Sequence, residues 1–218
     1  RWCGMSMKPI LFNTEMVRAI LDGRKTVTRR ICKDANDYTV PMGDFIDNDK
    51  RTYAVQSFYD KKNEDPCSLA EVNMPICIGD ILWVRETWGK GYEEGSYIYK
   101  ASDKLASLPS FKESSRLIYH PSIHMPKEAA RIFLKVTDVR VERLQDITEE
   151  QAIKEGFTDN RGFIHSPQDE YDNIHSAKQG FYSLWDSTVK NDSQKWESNL
   201  WVWVIEFERC ERPEGWEM

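Results

Sequence analysis

Eight consecutive residues, Gly23-Arg24-Lys25-Thr26-Val27-Thr28-Arg29-Arg30, carry four basic side chains and two hydroxyls directly after an apolar helical pattern. A lysine and a threonine this close can make a nucleophile and its base. A threonine hydroxyl attacks poorly until a base takes its proton. A lysine serves as that base only if burial or a cationic neighbour brings its pKa down from about 10.4. Arg24 and Arg29 could supply that field. Whether that reading holds depends on where the rest of the chain places a carboxylate to move the proton onward. Arg85, or backbone N–H groups near Gly23, would bind an oxyanion. The same stretch also reads as a plain anion-binding or solvated edge. Thr-Val-Thr is ordinary strand composition, and basic side chains discourage edge-to-edge pairing. In a regular strand Lys25 and Thr28 face opposite sides, so they converge only if Lys25 belongs to the turn after Gly23.

Other residues could contribute to a binding surface. Arg85-Glu86 interrupts an apolar strand, and adjacent strand residues face opposite ways, so one of the two is expected at a cleft. The alternative is one surface residue and one partly buried ion-pair member. Trp83, Trp88, Trp201 and Trp203 are core residues by default. Trp88, placed at a strand end beside a long loop, is the best candidate to stack on a base. His120 and His124 have a spacing that could hold a metal, but no nearby cysteine or paired carboxylate completes a zinc site. No metal and no cofactor is assigned. His165 and His175 lie in a polar stretch and read as surface residues.

The elements that must position these groups follow from periodicity. Asn13 or Thr14 caps a helix whose apolar residues are Met16, Val17, Ile20 and Leu21, and Gly23 ends it. Lys25 to Ile31 is a strand candidate. Gly79-Asp80 is a turn before the strand Ile81–Trp88. Ala130 to Leu144 is a long strand in which Ile132, Leu134 and Val136 share a face. Val139 and Val141 follow after a parity shift at Thr137-Asp138, which predicts a bulge. Thr148 caps a second helix with Gln151 in the capping-box position, and Gly156 can end it. Gln179–Val189 has helical character. Leu200–Glu208 is the last strand, with Trp201, Trp203, Ile205 and Phe207 on one face. Residues 33–75 read as a loop or hairpin insertion. Residues 89–128 read as irregular with a short strand at 96–100, and 158–195 as a third variable stretch.

The chain has 218 residues, 40% of them hydrophobic, with 30 basic and 36 acidic side chains and a formal charge of −6. That balance argues against a duplex-DNA grip through many phosphates and leaves only local basic patches for nucleic acid. Five cysteines without a C-x-x-C pair argue for reduced thiols in a cytoplasmic setting. No apolar run is long enough for a membrane span. Scattered strands between single helices indicate an α+β fold, such as a small mixed barrel with helices at its ends. One domain over 7–210 is expected, with residues 1–6 an added remnant before a start at Met5 or Met7, and 211–218 a polar tail.

Four segments, in this order, resemble one family. They are Ile20-Leu21-Asp22-Gly23-Arg24-Lys25-Thr26-Val27-Thr28-Arg29, Gly79–Val84, Leu144–Gly156 and Trp203–Phe207. Together they resemble the ASCH domain, a PUA-like β-barrel module. The longer version with Trp83-Val84-Arg85-Glu86-Thr87-Trp88 is similar to ASCH proteins of phages and prophages. The match covers about half of the chain and leaves three insertions outside it. The resemblance implies a PUA-like barrel flanked by helices, with a cleft on one side. It implies a protein that acts on or binds RNA, single-stranded nucleic acid or a modified nucleoside. Some family members are RNA readers, some are proposed ribonucleases, and a compact bacterial one removes acetyl from N4-acetylcytidine. Motif matching to that amidohydrolase assigns the catalytic lysine to Lys25, the threonine to Thr28 and the glutamate to Glu155. Arg24, Arg29, Arg85, Glu86 and Trp88 are the expected ligand-binding residues. The alternative is a non-catalytic PUA-like module that binds RNA or a modified base.

Overall fold

The computed structural model describes residues 6–32, 40–47, 52–57, 68–91, 93, 95–103, 118–157 and 176–216. Its centre is a five-stranded mixed sheet built from β1 (Met7–Leu11), β6 (Ile81–Arg85), β9 (Phe133–Arg143), β10 (Trp201–Cys210) and β2 (Val27–Ile31), in that spatial order. β1 runs parallel to β6, and every other neighbouring pair is antiparallel. A three-stranded meander of β3 (Val40–Asp47), β4 (Thr52–Ser57) and β5 (Ser68–Asn73) occupies the first insertion. A short hairpin of β7 (Trp88–Lys90) and β8 (Tyr97–Tyr99) lies in the second.

Alternation along the strands buries both faces of the sheet. Trp203, Ile205 and Phe207 of β10 join Leu82, Val84, Leu134, Val136 and Val139 in one core, which α1 (Thr14–Leu21) covers with Val17 and Ile20. Val202 and Val204 face the other way. They pack with Val27 against α2 (Glu149–Lys154) and α3 (Ala177–Thr188), through Ala152, Phe181, Leu184 and Trp185. A third cluster gathers Ile81, Trp88, Met125, Phe133 and Trp216. The expected bulge is present: Glu206 pairs Asp138 but Phe207 pairs Val136, which leaves Thr137 as the extra residue. Val139 therefore returns to the same core as Val136.

The expected closed barrel is replaced by an open sheet, because β1 and β2 pair on one side only and stand at its two edges. The expected strand Ile81–Trp88 breaks after Arg85, and Trp88 begins a hairpin instead of ending a strand. At the break sits Glu86, whose buried carboxylate is held by Arg131 at 2.8 and 2.9 Å.

Candidate functional site

Two helix ends build the site. Asn13 caps α1 by accepting the Met16 N–H at 2.8 Å. Gly23, at φ +75°, ends the helix: its N–H donates to Ile20 O at 3.1 Å and that of Arg24 to Ala19 O at 2.9 Å. This double closure is the Schellman motif, and the left-handed turn favours glycine. α2 ends the same way. Gly156 sits at φ +105°, with Gly156 N–H to Ile153 O at 2.8 Å and Phe157 N–H to Ala152 O at 3.3 Å. The residue two past Gly23 is Lys25, and the residue before Gly156 is Glu155. An antiparallel bridge joins these two positions, next to a Thr26 N–H bond to Lys154 O at 2.9 Å. The β2 edge is thus where the helical layers on the two faces of the sheet meet.

Lys25 belongs to the turn before β2, the placement its convergence with Thr28 requires. Its ammonium donates to Glu155 Oε2 at 2.5 Å, Val27 O at 2.7 Å and Glu155 O at 3.0 Å. All three ammonium protons are engaged. Glu155 Oε1 accepts from Arg29 Nη1 at 3.2 Å. Arg29 also donates from Nη2 to Gln151 Oε1 at 2.9 Å and Glu142 Oε2 at 3.2 Å. Gln151 is meanwhile the capping-box partner of Thr148, so one amide serves both the helix start and the site. Glu142 continues to Arg140 at 2.6 Å, and Arg140 to Glu206 at 2.6 Å and Asp138 at 2.8 Å. Charges of alternating sign therefore run from the buried Lys25 to half-exposed side chains on β9 and β10.

Thr28 lies on β2 opposite Ile205. Its hydroxyl accepts from Arg30 Nη1 at 3.0 Å. The same guanidinium donates to Arg29 O at 3.0 Å and, from Nη2, to Leu11 O at 3.0 Å. Arg30 and the Lys25 ammonium share the Phe12 ring, 5.3 and 5.6 Å from its centroid. Lys25, Thr28 and Glu155 are 2%, 1% and 4% exposed. Burial pushes the Lys25 ammonium below its ordinary value of 10.5, and the positive fields of Arg30 and Arg29 push the same way. Glu155 opposes them.

The other expected site residues lie apart from this group or serve its frame. Arg24 is held by Gly156 O at 2.8 Å and Asp22 at 2.9 Å; the cations acting on Lys25 are Arg30 and Arg29. The expectation that N–H groups near Gly23 hold an oxyanion fails, because those of Gly23, Arg24 and Lys25 are all spent on closing α1. Arg85 reaches the carbonyl of Ile123 and lies over Trp83, 5.6 Å from the ring centroid. Glu86 is the buried ion-pair member. Trp88 is buried, with Tyr97 and His120 rings at 5.7 and 5.1 Å. Its ring is thereby used in the third core cluster. His120 exchanges backbone hydrogen bonds with Trp88, and His165 and His175 lie outside the described residues. Among the described residues no three His, Cys, Asp or Glu side chains gather as a metal site, and no helix is long and apolar enough to cross a membrane.

Sequence reasoning missed Arg30 and Gln151 as members of the group. Gln151 was legible as a cap but not as an arginine partner, since that contact spans 122 residues. No family model matches the chain, and neither curated proteins nor solved structures yield a match to it.

Proposed function

We propose that this chain is an ASCH-type, PUA-like protein that hydrolyses the amide of an N4-acylated cytidine with Lys25, Thr28 and Glu155. The observation that carries this reading is the 2.5 Å contact between the Lys25 ammonium and the Glu155 carboxylate in a buried setting. Burial disfavours an ion pair relative to its neutral form. Moving one proton across that contact gives an amine beside a carboxylic acid, which are the base and the acid the reaction needs.

In this mechanism the Thr28 Oγ bonds to the acyl carbon while Lys25 Nζ takes the hydroxyl proton. The bond from that carbon to N4 then breaks as Glu155 gives its proton to the leaving nitrogen. Water hydrolyses the resulting ester, which releases the carboxylic acid and restores the Thr28 hydroxyl. Arg29 holds the second oxygen of Glu155 through this cycle.

The test is release of cytidine from N4-acetylcytidine. Wild type should turn over, and Thr28→Val, which keeps the shape and removes the hydroxyl, should lose at least about 100-fold in rate. A second reading, a non-catalytic module that binds RNA or a modified base, is favoured by the burial of the three side chains and by the full engagement of the Lys25 ammonium. Binding of N4-acetylcytidine by wild type without any turnover would select it and eliminate the hydrolase.

A further inference from the structure

Arg29 occupies a position that an apolar side chain would fill at lower cost. It alternates with Thr28 along β2 and so shares the face of Val27, which packs toward α2 and α3. Its side chain is wholly buried, with the guanidinium 5.7 Å from the Phe181 ring centroid. Its Nε–H is buried and meets no acceptor among the described residues. Burying a charge with a donor left over costs stability, and a side chain of similar volume without charge often packs as well or better. The guanidinium gains three acceptors instead: Gln151 Oε1 within α2, Glu155 Oε1 just past its end and Glu142 Oε2 on β9.

The two oxygens of Glu155 thereby serve different cations. Oε2 meets Lys25 at 2.5 Å and Oε1 meets Arg29 at 3.2 Å. One negative charge is divided between two positive ones. Glu142 divides Arg29 in turn at 3.2 Å, and is itself held by Arg140 at 2.6 Å. Glu142 keeps contact with solvent, whereas Lys25, Glu155 and Arg29 are buried. The charged groups that face the Lys25 ammonium are Glu155 beyond α2 and Arg30 and Arg29 on β2. Glu155 favours the ammonium and the two arginines oppose it.

We infer that Arg29 is a positioning residue for the Lys25–Glu155 pair and that Glu142 sets how strongly it acts. The consequence for turnover rests on the hydrolase reading, whereas the division of the carboxylate does not. By engaging Oε1, Arg29 leaves Oε2 to Lys25, so a proton passing between them has one oxygen to arrive at. By drawing part of the carboxylate's charge, it keeps the amine form of Lys25 accessible, which is the form that takes the Thr28 proton. Gln151 steadies the guanidinium from α2, and the same amide oxygen accepts the Thr148 N–H of the helix cap.

The experiment follows the Lys25 side chain by NMR titration of its ε-carbon in wild type, Arg29→Met and Glu142→Gln, together with the pH profile of N4-acetylcytidine turnover. Arg29→Met leaves the whole carboxylate to Lys25, so the titration midpoint should rise. Its kcat at neutral pH should fall by about tenfold or more, and recover as pH is raised. Glu142→Gln frees Arg29 to act on Glu155, so the Lys25 midpoint should fall below that of wild type. A purely structural role would disturb both variants in the same sense, whereas this arrangement moves them in opposite senses. Arg29→Lys keeps a cation without the fork and should lie between wild type and Arg29→Met; it also stands in if the Met variant does not fold. Midpoints that move together, or that do not move, would overturn the inference. Opposite movements with no turnover by wild type would reject only the hydrolase reading and leave the role of Arg29 and Glu142 standing.

Discussion

Glu155 neutralises two buried cations, whereas Lys25 and Arg29 each share their carboxylate. Removing one member of a buried ion pair leaves the other uncompensated, at about 3–5 kcal/mol. Lys25→Met should therefore lower the unfolding free energy by about 3 kcal/mol, and Glu155→Gln by more, because it strands Lys25 and also leaves Arg29 with Glu142 as its one carboxylate. Urea titration checks this ordering, and equal losses would contradict it. The pH dependence has a definite sign. The folded pKa of Lys25 lies below the unfolded value of 10.5, so between them the native state binds fewer protons than the unfolded state. Its contribution to stability must grow as pH rises through that window. Wild type should gain stability relative to Lys25→Met as pH increases toward 10.5, and a loss would show that Glu155 outweighs burial. The lysine, threonine and glutamate were legible from their types and from a family resemblance. Arg30 stood in the same eight residues, yet its bond to Leu11 O joins two strands that no local pattern brings together.

Helix ends, more than helix bodies, set the site geometry. Thr148 and Gln151 start α2, and Gly156 ends it with Glu155 in place. Thr148→Ala should cost about 1 kcal/mol of stability through the lost cap. Gly156→Ala should cost about 1–2 kcal/mol, since a Cβ is strained at φ +105°. Only the second change shifts the backbone that presents Glu155. Turnover or nucleoside affinity should fall more in Gly156→Ala than in Thr148→Ala at matched stability, and parallel losses would argue against this separation. Both caps, the bulge at Thr137 and the two-faced pattern of β10 were readable, because each is written within a few consecutive residues. β1 was not. Its five residues include Pro9 and Lys8, and it becomes a strand by pairing with β6 some 70 residues later. The meander of β3 to β5 was read only as a loop or hairpin, since polar composition hid its strands.

At the scale of the molecule, the chain is acidic overall, and it buries Lys25 and Arg29, two of the four cations of its basic cluster. Binding of a nucleoside or a short single strand should exceed binding of duplex, with a shallow dependence on salt. Titration at two salt concentrations measures both, and tight duplex binding with a steep slope would contradict the placement of the site. The α+β class was legible from the spacing of strands and helices, whereas the openness of the sheet depends on pairings between distant segments. The order of strands also governs how the protein is made. β10 lies between β9 and β2 and carries the register of both. A ribosome releases β2 early and β10 last among the strands of the sheet, so for most of synthesis β2 has no neighbour and the Lys25 turn has no floor. The meander, whose strands pair with one another in sequence, can form meanwhile by local contacts. A nascent chain held before Trp201 therefore displays the unsatisfied edge of β9 together with an unpaired β2. That stretch of time is when this protein most needs shelter from aggregation.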